Sequence, residues 1–354
     1  MRLDRNRREL TVLNSAPAKG RSTCFLNCDA GRSVLTAVNY WDARLAVVGI
    51  NPLTGHLAGG PAKQVLQQAR GEYVDRCAPG REEHWAYRQR WAHTHCAVTE
   101  PYTGSNNNLF VADLGEDKIL WFDASGALVR RGECQLPRGV GPRHLVFHPT
   151  LRVAYVVNEL NSSVSMLAVD EAALNPETRR GLIQGEGGGP IAEVDDSDDG
   201  GSNRSSVTGA EAGSDALTLL QSISTLPADW QGRSAIKNGV WKAASHCSEI
   251  KVHPSGEFLF VANRGHDSLA VFAIDQATGT LAAPTFKPSG GMTPRNFNFA
   301  CGGDFVVVGN QDSNTLALFS FDATSGALTL EDCIDHPSPN YVYTVPRSEA
   351  ARAA

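Results

Sequence analysis

Short apolar runs alternate with polar residues along nearly the whole chain, and none continues far enough to suggest a long helix. The clearest instance is Gly141-Pro-Arg-His-Leu-Val-Phe-His-Pro, followed by Ala154-Tyr-Val-Val-Asn158. It reads as a strand, a Pro-marked turn and a second strand that ends on a polar residue. The same pattern recurs four more times. Thr94-His-Cys-Ala-Val precedes Leu109-Phe-Val-Ala-Asp113, and Cys247-Ser-Glu-Ile-Lys-Val-His-Pro precedes Leu259-Phe-Val-Ala-Asn263. Ser22-Thr-Cys-Phe-Leu precedes Leu35-Thr-Ala-Val-Asn39, and Thr293-Pro-Arg-Asn-Phe precedes Val306-Val-Val-Gly-Asn310.

Each copy continues into a third apolar run: Leu45-Ala-Val-Val, Ile119-Leu-Trp-Phe, Val164-Ser-Met-Leu, Leu269-Ala-Val-Phe and Leu316-Ala-Leu-Phe. Four of these close on a tight-turn pair, Thr54-Gly55, Ser125-Gly126, Thr278-Gly279 or Ser325-Gly326, with a Leu two residues later that should open a fourth strand. Where nothing is inserted, the terminal Asn or Asp recurs about every 45 residues, a period that belongs to four-stranded propeller blades. The fold class is therefore all-β, and residues 1–354 are expected to form a single β-propeller domain. Two inserts break the period. Residues 58–91 are expected to be an inter-strand loop insert that either builds the rim of the site or is simply a solvated charged loop. Residues 185–215, rich in Gly, Ser and Asp, are expected to be a disordered acidic loop that buries too little apolar surface to order itself. Leu3-Asp-Arg-Asn-Arg-Arg-Glu-Leu10 looks like a blade-closing segment, so the chain is expected to begin inside a blade.

Composition narrows the partners. The net charge of −6 argues against nucleic acid or an anionic membrane surface. No apolar run reaches the roughly 20 residues of a spanning helix, and the charged start has no apolar leader region. The 8 cysteines form no Cys-x-x-Cys or Cys/His cluster, so neither a metal nor another cofactor is expected, and reduced thiols suit a cytoplasmic protein.

Gly141-Pro-Arg-His, Val157-Asn-Glu-Leu160, Val261-Ala-Asn-Arg-Gly-His-Asp-Ser268, Thr293-Pro-Arg-Asn-Phe297 and Gly309-Asn-Gln-Asp-Ser313 together resemble the lactonase-type propeller family. That family includes 6-phosphogluconolactonases and carboxymuconate-lactonising enzymes. Ile223-Ser-Thr-Leu-Pro227 and His93-Thr-His95 add to the likeness, which covers most of Ser22 to Pro339. The resemblance implies seven blades with a C-terminal strand closing the first. Five full units and the tail of another are visible, with Pro337-Ser-Pro in the closing position. An incomplete N-terminus is the expected reason, and a five-bladed ring is the alternative.

By position, the resemblance implies that His95, Arg143, Glu159 and Arg264 form the catalytic cleft, with His144, His266, Arg295 and Gln311 as substrate-binding neighbours. The anchor Asn recurs from unit to unit, as a turn former should, whereas Glu159 and Arg264 follow it once each. A residue needed only by the blade would repeat with the blade. His148 and His253, beside Pro turns, read as surface features. A phosphorylated sugar lactone needs a cationic fork for its phosphate, an oxyanion donor and a base for the attacking water. Arg143 and Arg264 suit the first two tasks, and either Glu159 or His95 suits the third. The implied activity is hydrolysis of 6-phosphogluconolactone; a muconate-lactonising cyclase and a non-catalytic scaffold are the alternatives.

Overall fold

The computed structural model describes residues 1–29, 31–58, 63–66, 88–89, 91–104, 107–126, 128–175, 216–232, 235–237, 240–242 and 244–345. A hairpin of β1 (Arg2–Asp4) and β2 (Glu9–Thr11) comes first. Blade 1 follows, with β3 (Thr23–Asp29), β4 (Val34–Asn39), β5 (Arg44–Gly49) and β6 (Lys63–Leu66). Blade 2 holds β7 (Thr94–Thr99), β8 (Asn108–Asp113), β9 (Lys118–Asp123) and β10 (Val129–Gln135). Blade 3 holds β11 (Pro142–Phe147), β12 (Val153–Asn158), β13 (Ser163–Val169), a single helical turn α1 (Glu171–Leu174) and β14 (Leu217–Ser224). A hairpin of β15 (Ala235–Lys237) and β16 (Val240–Lys242) leads to blade 4, with β17 (His246–Val252), β18 (Phe258–Arg264), β19 (Ser268–Ala273) and β20 (Thr285–Pro288). Blade 5 holds β21 (Pro294–Ala300), β22 (Phe305–Asn310), β23 (Thr315–Asp322) and β24 (Ala327–Asp335).

Among the described residues these make five four-stranded antiparallel sheets, each joined strand to neighbouring strand in chain order. The expected all-β propeller is therefore observed. The cores lie between blades. On β12, Val153, Tyr155 and Val157 pack towards blade 4, while Ala154 and Val156 pack towards blade 2. Successive strand residues point to opposite faces, so a sheet covered on both sides needs a continuous apolar run, and Val153-Ala-Tyr-Val-Val is one. The innermost strands β3, β7, β11, β17 and β21 neighbour one another in that order.

Several local expectations are revised. The stretch assigned to a loop insert, 58–91, contains β6, which pairs with Arg44–Val47 of β5. Leu57 and Leu281 do not open fourth strands; each makes an isolated bridge, to Ile50 and Ile274. In blade 4, Pro284 then withholds a backbone N–H, and regular pairing resumes only at Thr285. His148 and His253 are buried. Their rings reach backbone carbonyls of the next blade, Gly256 at 2.8 Å and Gly303 at 3.2 Å, so the His-Pro motif ties blades together. The described residues after Pro337-Ser-Pro, 340–345, do not join the first blade's sheet. They lie against β21, where Val342 N donates to Asn296 Oδ1 at 2.8 Å. The acidic stretch 185–215 lies outside the described residues.

Candidate active site

Every innermost strand carries a β-bulge at the same place. The pairs Thr23–Asn39, Thr94–Asp113, Pro142–Asn158, Cys247–Asn263 and Pro294–Asn310 are in register, and the pairing slips immediately afterwards. A bulge inserts a residue the partner strand cannot match and re-aims its side chain. The residues so released are Cys24, His95, Arg143 and Arg295, with Ser248 at the same slot of the longer slip in blade 4. The partner residue of each pair is the recurring anchor. Asn39, Asn263 and Asn310 use their amides to hold the segment entering the blade, through Ala18, Thr225 and Ser289 carbonyls. The residue after the anchor leaves the strand end beside the bulge: Tyr40, Leu114, Glu159, Arg264 and Gln311 in turn.

These two slots build a cavity of ≈ 720 Å³ on the propeller axis, a size suited to a small organic ligand. Cys24, His95, Arg143 and Arg295 line it from the bulges, and Tyr40, Glu159 and Arg264 line it from the post-anchor slot. His144, Arg88, His246, Asn296 and Tyr341 complete much of the wall. His95, Arg143, Glu159, Arg264, His144 and Arg295 thus come together as expected from their blade positions. His266 and Gln311 are not among the lining residues. His266 turns to Ser268 Oγ at 2.6 Å and packs its ring edge-on against Trp230 and Phe286.

Glu159 is the electrostatic centre. Its Oε1 lies 3.2 Å from Arg88 Nη2 and 3.3 Å from Arg264 Nη2, and its Oε2 lies 3.1 Å from Arg143 Nε. Burial alone would raise this carboxyl, but Arg264, Arg88 and Arg143 hold it well below the usual carboxylate range. It is a permanent anion whose oxygens are engaged by cations. Arg264 is pushed down to about 9 by burial, against the pull of Glu159 and with the push of Arg143, so it remains charged at neutral pH. Arg88 also donates from Nε to Tyr40 Oη at 2.9 Å.

His95 has the opposite character. Burial first, then Arg143 and His144, hold it well below the usual histidine value, so the imidazole is neutral at physiological pH. Its Nδ1 is buried without a hydrogen-bond partner among the described residues. His144 is likewise lowered, to about 4, by burial and Arg143, while its Nδ1 meets Glu249 Oε1 at 3.0 Å. Glu249 in turn receives the Asn296 amide, so His144, Glu249 and Asn296 link blades 3, 4 and 5 at the cavity wall.

The sequence singled out neither Cys24 nor Tyr40, although both occupy the very slots that nominate Arg143 and Glu159. Comparing all five copies slot by slot would have found them. Glu249 shares the slot after the bulge with His144 and Asn296, and Arg88 sits in an insert that no repeat covers.

A neutral imidazole, a fixed anion and several guanidiniums facing one cavity suit addition of water to an ester carbonyl whose substrate is negatively charged. The sequence matches the family model for the lactonase, 7-bladed β-propeller over residues 1–192 and 202–344, and the chain belongs to that family. A 6-phosphogluconolactonase of Bacillus subtilis is 28% identical over 298 residues, covering 84% of this chain and 65% of its own length. One from Formosa agariphila is 25% identical, covering 84% of this chain and 66% of its own. The chain thus spans just under two thirds of the length of these curated relatives. Among solved structures, a periplasmic gluconolactonase of Pseudomonas aeruginosa superposes with a TM-score of 0.63 at 26% identity, covering 90% of this chain and 71% of that one. A Lactobacillus plantarum protein superposes at 0.66 with 26% identity, covering 90% and 73%. No helix among the described residues is long and apolar enough to cross a membrane.

Proposed function

We propose that this protein hydrolyses a sugar δ-lactone, and that the substrate is 6-phosphogluconolactone, opened to 6-phosphogluconate in the cytoplasmic pentose phosphate route. The observation that carries the reading is the pairing of a neutral buried His95 with a carboxylate, Glu159, whose oxygens are held by Arg88, Arg143 and Arg264. A carboxylate so clamped is a weak base, which leaves the proton transfer to His95. His95 takes a proton from water as the oxygen bonds to the lactone carbonyl carbon. The carbonyl oxygen becomes an oxyanion facing Arg143 and Arg264. When the ring C–O bond breaks, the imidazolium returns the proton to the departing ring oxygen, giving a hydroxy acid. Glu159 orients the arginines throughout and offsets their mutual repulsion. The names of the relatives support the same class of reaction, and the cavity's cationic lining supports a phosphorylated substrate.

The test is a lactone-consumption assay with purified, folded protein, since this lactone also opens spontaneously. Protein should raise the rate well above that background, and His95→Asn should remove most of the increase. Equal rates with and without the protein would sink the hydrolase reading. The same arginines could receive the carboxylates of a muconate, so lactonisation of 3-carboxy-cis,cis-muconate is the second activity to assay.

A further inference from the structure

Arg143 and Arg295 occupy the same slot two blades apart, each released by the bulge after a Pro paired with the anchor Asn. Their surroundings differ. In blade 3 the post-anchor residue is Glu159, and Arg143 is spent on it at 3.1 Å and on the Ser248 carbonyl. In blade 5 the post-anchor residue is Gln311, which lies off the cavity and donates its backbone N–H to Thr293 O at 2.9 Å. Among the described residues, Arg295 has neither a carboxylate within ion-pair distance nor a hydrogen-bond partner, yet it is half-buried and lines the cavity. A guanidinium withdrawn from water without a counter-ion is costly, and the cost is recovered when an anion arrives. Among the described residues four guanidiniums face the cavity, those of Arg88, Arg143, Arg264 and Arg295, against the single lining carboxylate Glu159. Among the described residues the lining therefore has an excess of three positive charges, and of its four guanidiniums Arg295 alone makes neither a hydrogen bond nor an ion pair.

We propose that Arg295 is the specificity-determining residue that receives the terminal phosphate monoester of the substrate, while the arginines around Glu159 serve the carbonyl end. A planar guanidinium gives a phosphate two parallel N–H donors, and a dianion repays its desolvation better than a hydroxyl would. This assignment rests on the lactonase reading for the identity of the substrate, but the anion site can be measured without turnover.

Two measurements on the full chain separate the two claims. Calorimetry compares binding of 6-phosphogluconate with that of gluconate, which lacks only the phosphate, and kinetics compares kcat/KM for the two corresponding lactones. The native protein should favour the phosphorylated member in both. Arg295→Ala should lower that preference about 10- to 100-fold, and Arg295→Lys, which keeps the charge but not the fork, should fall between. Because Arg295 anchors no partner among the described residues, its removal leaves no orphaned buried charge there, and circular dichroism should report an unchanged fold. An Arg295-dependent binding preference without any lactone turnover would uphold the phosphate site and reject the hydrolase reading. Equal preference in native protein and Arg295→Ala would overturn the proposal. So would an Arg295-dependent preference for 3-carboxymuconate over 6-phosphogluconate.

Discussion

Blades 3 and 5 share one scaffold and differ in what they do with it. Both carry Pro-Arg at the bulge and Asn at the anchor, and in both the strands pair in the same register. In blade 3 the next residue is Glu159, which faces the axis and draws in arginines from three places: its own blade, blade 4 and the insert before blade 2. In blade 5 the next residue is Gln311, and the cation at the bulge stays unpaired among the described residues. One residue beside the anchor thus separates a guanidinium paired to a carboxylate from one that has no such partner among the described residues.

The sharpest way to break this contrast is to make blade 3 resemble blade 5 in charge. Glu159→Ala leaves Arg88, Arg143 and Arg264 facing one another with no counter-charge. The loss should be about 3–5 kcal/mol of stability, read by denaturant unfolding, together with most of the proposed lactone hydrolysis. His95→Asn removes the neutral imidazole and leaves the arginine network intact. It should cost about 10²–10⁴ in turnover with little change in unfolding midpoint. If Glu159→Ala kept its stability, or His95→Asn kept its rate, the assigned division of labour would be wrong.

Acid should act more gradually. His95, His144 and His246 are all held below the ordinary histidine value by burial, His144 to about 4 and His246 to about 3. Their unfolded counterparts titrate near 6.5. The unfolded chain therefore gains protons on these residues first as pH falls, so the stability the three histidines contribute is full above about pH 6.5 and declines from there towards pH 3 to 4. Thermal midpoints at pH 7.5, 6 and 5 should fall in that order. The turnover profile should keep its plateau below pH 6.5, because His95 stays neutral further into acid than a free histidine does.

The smallest expected effect concerns blade 2, where Asp113 replaces the usual Asn. Its Oδ1 accepts backbone N–H groups from His93, Gly115 and Glu116, but its Oδ2 is buried without a hydrogen-bond partner among the described residues. Burial outweighs those donors and raises the carboxyl to about 7. A raised folded-state value costs stability as pH climbs from about 4 through 7. Asp113→Asn, which cannot ionise, should match the native protein near pH 4 and melt a few degrees higher at pH 8, by about 1 kcal/mol.

The propeller was legible because its evidence repeats: Asn39, Asn158, Asn263 and Asn310 recur at the same point of similar apolar runs, and each blade restates the others. The candidate site was legible where a blade departs from that repetition, as at Glu159 and Arg264, which both line the cavity. The rest was hidden for physical reasons. A bulge changes register without changing the apolar pattern, so nothing in Ser22-Thr-Cys-Phe-Leu marks Cys24 as an axial residue. His266 and Gln311 are close in sequence to axial residues, but the turns carrying them direct them away from the cavity. Arg88 arrives from outside the repeat, and Glu249 looks like one more polar residue until His144 and Asn296 are found on either side of it.

The recurring bulge also bears on how such a protein can change. Because the slipped residue has no partner across the strand pair, its side chain can be exchanged without rewriting the ladder on either side. Cys24, His95, Arg143 and Arg295 already show a thiol, an imidazole and two guanidiniums mounted on near-identical backbone. Each blade therefore works as a fixed socket with a replaceable fitting. New substrate preference could be reached by single exchanges at the axis, each made against a sheet that does not have to be redesigned.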